Sequence, residues 1–299
     1  MNRFFAILIF IITYSFSCLG QENNDAIQAI ELTTISQVNQ GNSYITFPTD
    51  IGNIEPLWFE GNLIPNFYIR QSKNSRLMGV VTPQVIIRMY QEESFPVRTP
   101  SYIPQITAYY LLSPKTEVNR LSLFGKLAHH SNGQDGDFFL ENGDINLLSG
   151  NFATNYYELG LIKTNYSSRF NAFQFFGTSL EIHPPNLTVE ELNGIYSLYR
   201  WNTIFSIFRM PPNSNQKKKK NASISLKGQS IWMFGEYNNL DNFSLDRLNL
   251  SLTFYYHPKF LEDIGLFAQI YHGMDYYNMY FDHQIDVIRF GIMTEKLRF

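Results

Sequence analysis

The chain has 299 residues, a formal net charge of −3, 44% hydrophobic and 16% aromatic residues, 16% charged residues and a single Cys. This balance gives no basic footprint for nucleic acid, one Cys cannot build a disulfide framework or a thiolate metal cluster, and the apolar content excludes global disorder. A mean hydropathy of −0.19 excludes a polytopic helical membrane protein, and the many Tyr, Phe and Asn suit an all-β chain, either a large soluble sandwich or an outer-membrane barrel.

Residues 1–20 read as a secretory signal peptide. Arg3 opens a positive start, residues 4–14 are apolar except for Thr13, and small or polar residues follow, among them Ser15, Ser17, Cys18 and Gly20. The apolar run is too short to span a bilayer. Cleavage after Gly20 leaves Gln21 first; a lipoprotein signal using Cys18 is the alternative. Either way the lone Cys lies in the export segment. Residues 21–50 are polar and weakly periodic, and are read as an N-terminal arm. No later stretch approaches about 18 consecutive apolar residues, so any membrane crossing by residues 51–299 must use strands.

Strict alternation recurs along residues 51–299. In residues 121–131, Leu121, Leu123 and Leu127 share one face and Ser122 and Lys126 the other. In residues 155–162 the odd face holds Asn155, Tyr157, Leu159 and Leu161. Residues 211–221 carry Lys217–Lys220 and are read as a solvated loop. Ala222, Ile224 and Leu226 then oppose Ser223, Ser225 and Lys227, and residues 248–256 repeat the pattern from Leu248 to Tyr256. Ile288, Phe290 and Ile292 lead to a terminal Phe299, with a slip near Thr294 that allows a bulge. Such a dyad belongs to strands with unlike surroundings on their two faces.

A sandwich core and a lipid-facing barrel wall both produce that dyad. Export, aromatic pairs at strand ends (Tyr255–Tyr256 and Tyr276–Tyr277, read as interfacial girdles) and the aromatic ending favour the barrel. Roughly 250 residues at about 20 per strand and connection give an antiparallel transmembrane β-barrel of about 12 strands.

On residues 121–131, His129 and Ser131 continue the apolar face while His130 points the other way. Asn132–Gly133 then ends the strand in a turn. An imidazole two residues from a hydroxyl, on one face, is the start of a nucleophile–base pair, and such a base needs a third group to fix its tautomer. Asn155 stands on the matching face of the next strand. A neutral amide orients the ring without burying a carboxylate beside hydrocarbon. Polar groups on a lipid-facing wall are costly unless they serve a purpose.

The run His129, Ser131, Asn132, Gly133 resembles the His-x-Ser-Asn-Gly hallmark of the outer-membrane phospholipase A family. Glu92, Glu93, Ser94, Pro96 and Arg98, followed by Tyr102, Pro104 and Gln105, resemble a second family stretch, and residues 267–273 with the closing strand resemble its last hairpin. The resemblance spans roughly residues 50–299. It implies a calcium-dependent serine hydrolase of glycerophospholipid acyl esters, in the outer membrane, acting on membrane phospholipid and active as a homodimer.

Residue by residue, the resemblance makes Ser131 the nucleophile, His129 the general base and Asn155 its orienter, with Asn151 and Asn146 as alternatives for the last role. For Ca²⁺ it implies Ser94 from the partner subunit, a backbone carbonyl of Gln134, where the family has Arg, and Asn151. The longer loop here leaves Asp135, Asp137 and Asp144 as alternative ligands. Gln84 reads as an interior polar residue rather than the family's dimer contact. The competing function is a non-enzymatic barrel, a pore or adhesin.

Overall fold

Long alternating stretches have no helical face to bury, so their backbone groups must pair with neighbouring strands. The computed structural model describes residues 30–47, 51–72, 74–210, 222–258, 260–261 and 263–294. One helix, α1 (Leu32–Gln40), precedes the strand segments β1 (Tyr44–Thr46), β2 (Leu57–Leu63), β3 (Phe67–Ile69), β4 (Leu77–Tyr90), β5 (Val97–Leu111), β6 (Arg120–Ser131) and β7 (Ala153–Ser167). β8 (Ala172–Ile182), β9 (Tyr199–Arg209), β10 (Ile224–Phe234), β11 (Leu248–Tyr256), β12 (Ile264–Met274) and β13 (Gln284–Thr294) complete the sheet.

Every neighbouring pair from β4 to β13 is antiparallel and sequential, and β1 pairs with β13. β2 pairs with both β1 and β4, which closes the ring. β2 and β3 both lie along β4, as two pieces of one interrupted strand, so the result is a closed 12-strand antiparallel barrel. Closure through β1 and β2 joins the two long edges of the sheet, the condition for a sheet to sit in hydrocarbon, and among the described strands the short β3 pairs on one side only. Among the described residues no helix is long and apolar enough to cross a membrane.

The wall has the expected two faces. Along β5, Tyr102, Ile106 and Tyr110 are exposed while Ser101, Gln105, Thr107 and Tyr109 are buried in the lumen. Gln84 also points inward, where its amide donates to Asn62 and accepts from Gln105, both at 3.0 Å. One end of the barrel carries long connections, including residues 132–152, 183–198 and 275–283. The other carries tighter turns such as residues 168–171.

Two sequence expectations change. The boundary placed at residue 50 moves, because residues 32–46 belong to the barrel. α1 sits inside the turn end, with Leu32, Ile35 and Val38 buried against Met78, Tyr109, Phe124, Phe175 and Phe208. Their i, i+3, i+6 spacing makes one apolar stripe. Fully burying a side chain such as Ile35 is worth about 1.5–3 kcal/mol, and Ile35 is 0% exposed. The polar residues that hid this helix in the sequence satisfy the lumen: Asn39 donates to the Tyr109 hydroxyl at 2.9 Å and Gln40 to Thr107 at 3.0 Å. Gly41, with φ 87°, turns the chain into β1.

The second change concerns Tyr276 and Tyr277, expected in a girdle. They lie in the β12–β13 connection, folded into the loop-end mouth. Tyr276 donates to Glu60 at 2.5 Å and Tyr277 to the Arg98 carbonyl at 3.1 Å. Burial pushes the Tyr276 hydroxyl up to about 12, so it stays a donor. A ring pair at a strand end looks the same in sequence whether it faces lipid or folds back. The signal segment 1–20, Lys217–Lys220 and Phe299 lie outside the described residues.

Candidate active site

β6 and β7 pair without interruption, and their register sets His129 opposite Asn155 and Ser131 opposite Ala153. On the other side of β6, Ser131 faces Tyr102. Directly opposed residues share a face, so His129, Ser131, Tyr102 and Asn155 all lie on the outer wall. The next outward residues toward the turn end are apolar or aromatic: Leu127 is 52% exposed and Tyr157 46%. His130 points into the lumen, where its ring meets Phe152 edge-on at 4.8 Å.

The imidazole and the amide are in contact, with His129 Nδ1 3.0 Å from Asn155 Oδ1. The amide's orientation is fixed by its other end, because Asn155 Nδ2 donates to the Leu187 carbonyl at 2.8 Å. A carbonyl only accepts, so Nδ2 must face Leu187 and Oδ1 must face the ring. The ring nitrogen beside Oδ1 therefore carries the hydrogen. Nε2 is left as an acceptor, the form a general base requires.

Ser131 stands two residues farther along the same face and is half-buried. Among the described residues its hydroxyl makes no hydrogen bond, so the structure joins His129 to Asn155 and leaves Ser131 on the same face without a hydrogen bond to either.

Behind the pair, Asn132 organises the loop. It is 1% exposed. Its Nδ2 donates to the Gly150 carbonyl at 2.7 Å, and its Oδ1 accepts from Phe152 N at 3.1 Å and Gln134 N at 3.3 Å. Gly133 follows with φ 69°, a left-handed turn that suits glycine. The two limbs of the loop then run close together. Gly136 N donates to the Ser149 carbonyl at 3.1 Å, and Asn151 N to the Gly136 carbonyl at 3.0 Å. A Cβ on Gly136 would lie 2.5 Å from that Ser149 oxygen, so only glycine fits.

This places the expected metal ligands Gln134 and Asn151 on the two limbs of one compact loop, both half-buried. Their donors are neutral oxygens, the type a hard cation takes. Two residues supply far fewer than the roughly six to eight oxygens of a Ca²⁺ shell, so a cation here would need further ligands from outside the loop. Ser94 stands apart, exposed on the β4–β5 connection with φ 67°. Asp135, Asp137 and Asp144 are exposed. Among the described residues no group of three or more His, Cys, Asp or Glu side chains is arranged to hold a metal.

The alternative orienters do not reach the ring. Asn146 is committed to its own turn, its Nδ2 donating to the Asp137 carbonyl at 3.0 Å and its Oδ1 accepting from Ser149 N at 3.1 Å. In the sequence Asn132 reads as a turn former within the hallmark run, its loop contacts not specified, and nothing there points to the Leu187 carbonyl. The loop contacts had a signal, since an Asn beside a turn glycine can cap backbone donors. The carbonyl had none: a main-chain oxygen 32 residues away looks the same in any sequence.

No family model and no curated protein matches the chain. Solved structures do. The outer membrane phospholipase A from Escherichia coli matches with a TM-score of 0.57 and 14% identity, covering 90% of this chain and 100% of that one. An active-site mutant of that protein, at pH 6.1, matches with a TM-score of 0.55 and 12% identity over 93% of this chain and 95% of that one. The Salmonella typhi outer membrane phospholipase, a dimer with bound calcium, gives 0.53 and 13% over 93% and 95%. At such identities the likeness establishes architecture: this chain has the closed twelve-strand barrel fold of those outer-membrane proteins.

Proposed function

We propose that this chain is an outer-membrane serine hydrolase that cleaves the acyl esters of glycerophospholipids, uses Ca²⁺ and acts as a homodimer. The observation that carries the reading is the outward-facing His129–Asn155 contact at 3.0 Å, with Ser131 on the same face, beside the exposed Leu127, Tyr157 and Leu159. Such polar groups are expensive against hydrocarbon and are kept where they act. A bilayer phospholipid would meet that face from the side, with its ester at the level of the loop end and its chains along Leu127, Tyr157 and Leu159.

In this reading His129 Nε2 takes the Ser131 proton as Oγ attacks the ester carbonyl. The tetrahedral intermediate collapses when the imidazolium returns that proton to the departing lysophospholipid oxygen. Water, deprotonated by the same ring, then releases the fatty acid and restores the serine. Asn155 keeps Nδ1 protonated throughout and stabilises the ring when it is charged. The proton transfer requires the Ser131 hydroxyl to turn toward Nε2, a contact that forms on substrate binding. Calcium held near Gln134 and Asn151, with Ser94 from a second copy, would supply positive charge for the developing oxyanion.

Purified protein, given mixed phospholipid–detergent micelles and Ca²⁺, is expected to release fatty acid. Ser131→Ala is expected to fold and be inert, and a long-chain sulfonyl fluoride is expected to label Ser131. Turnover by Ser131→Ala, or label on another residue, would overturn the assignment and leave an outer-membrane-type barrel without this chemistry.

A further inference from the structure

The β8–β9 connection does more than supply the Leu187 carbonyl. Residues 184–189 fold back along the end of β7, where Val189 N donates to the Ala153 carbonyl at 3.0 Å and Thr154 bridges Thr188. Pro185–Leu187 make a single 3-10 turn that ends at an extended Thr188. The Leu187 carbonyl meets Asn155 on the outside, while the Thr188 side chain turns into the wall. There Thr188 Oγ1 lies 2.8 Å from Thr154 Oγ1, which lies 2.9 Å from His183 Nδ1. Thr154 is 0% exposed and His183 1%.

Donor accounting gives this chain a direction. The Thr188 hydroxyl donates to the Pro184 carbonyl at 3.0 Å. The Glu181 carboxylate only accepts, so neutral His183 carries its hydrogen on Nε2 and accepts at Nδ1 from Thr154; Thr154 Oγ1 in turn accepts from Thr188, whose one hydrogen is shared between Thr154 and the Pro184 carbonyl. His183 Nε2 rests 2.9 Å from Glu181 Oε1 on β8. The series therefore ties β8, the loop and β7 together on the inner side of the segment whose outer side holds Asn155.

We infer that Thr188 is a positioning residue for the general base: its hydroxyl bridge holds the Leu187 carbonyl where it fixes the Asn155 amide, and so fixes the tautomer of His129. The inference rests on the hydrolase reading for its effect on turnover, but not for its effect on the ring. When the carbonyl drifts, the Asn155 amide can rotate and present Nδ2 to the imidazole. The ring then accepts at Nδ1 and carries its hydrogen on Nε2, where it cannot take a proton from Ser131.

The test uses full-length protein in detergent micelles. Thr188→Val keeps the shape and removes both hydrogen bonds; Thr188→Ser keeps the hydroxyl. Three quantities are measured: the His129 tautomer by ¹⁵N NMR of the ring, kcat and KM on phospholipid, and the unfolding midpoint. The expected wild-type ring is protonated on Nδ1. Thr188→Val is expected to move population to Nε2–H and lower kcat about tenfold, less than the roughly 10²–10⁴ that loss of a general base costs. KM should hold, and Thr188→Ser should restore ring and rate together.

A Thr188→Val ring still protonated on Nδ1 with unchanged kcat overturns the inference. So does a wild-type ring protonated on Nε2, which needs no variant and stands even if Thr188→Val does not fold. An active Ser131→Ala would instead sink the hydrolase reading, while the tautomer result would still decide the role of Thr188.

Discussion

Arg88 on β4 and Asp275 just beyond β12 lock together across the lumen, Nη1 to Oδ2 at 2.6 Å and Nη2 to Oδ1 at 2.8 Å. Arg88 also reaches Glu60 at 2.8 Å, and Glu60 takes Arg289 at 2.9 Å. Two cations and two anions from β2, β4, β13 and the loop thus brace the mouth in balance. Buried charges are tolerated only when paired in this way. Asp275→Ala is expected to lower stability by about 3–5 kcal/mol, because it strips the Arg88 head of its two-pronged partner. Urea unfolding of the refolded protein checks this; a loss below about 1 kcal/mol would show the pair to be incidental.

The same braces predict electrical silence. α1 fills one end of the lumen, and the β12–β13 connection with its Tyr276, Tyr277 and Tyr280 closes the other. Between them lies a cavity of about 390 Å³, lined by polar groups such as Lys126, Lys227 and Gln229. Purified barrel added to planar bilayers should give no steady channel steps. Defined single-channel openings would favour the pore reading.

The three outward-facing residues should separate by role. Ser131→Ala and His129→Ala are expected to bring fatty-acid release to background. Asn155→Ala should lower kcat by about 10²-fold with KM little changed, since the ring remains but loses its fixed tautomer. Equal losses in KM and kcat for Asn155→Ala would point to a binding defect instead.

Asn132→Ala removes three hydrogen bonds from a residue 1% exposed. Each neutral hydrogen bond is worth about 0.5–1.5 kcal/mol net, so the loop of residues 133–151 should loosen by about 2 kcal/mol or more. Limited proteolysis should cut that loop in the variant and spare it in the wild type, while the strands stay protected. An uncut loop would mean that the glycine contacts alone hold it.

Calcium dependence can be read residue by residue. EDTA should stop turnover, and added Ca²⁺ should restore it. Gln134→Ala should leave the calcium requirement unchanged if only its backbone carbonyl takes part. Asn151→Ala should raise the required Ca²⁺ by about tenfold. Full activity in EDTA would remove calcium from the mechanism while leaving the Ser131–His129 assignment open to its own test.

Alternation alone marked β11 from Leu248 to Tyr256 as the structure has it. It also set the parity that puts His129, Ser131 and Asn155 on one face, because side chains on a strand repeat every two residues and pairing preserves the face. Alternation failed where the period is not two. α1 carries its apolar stripe among Thr, Ser, Asn and Gln, and reads as a loose arm until a polar lumen is there to receive it. Tyr276 and Tyr277 look like girdle aromatics because sequence records their position at a strand end but not the return of the chain into the mouth.

What the sequence determined by itself, then, is a set of alternating strands with His129, Ser131 and Asn155 on their apolar face. That is local information, carried by side-chain type and spacing. The closure of the ring through β2, the lumen braces of Glu60, Arg88, Asp275 and Arg289, and the Leu187 carbonyl that orients Asn155 were decided only by tertiary structure. Each depends on a contact between distant segments, and in the last case on a main-chain oxygen that every residue possesses and no residue type reveals.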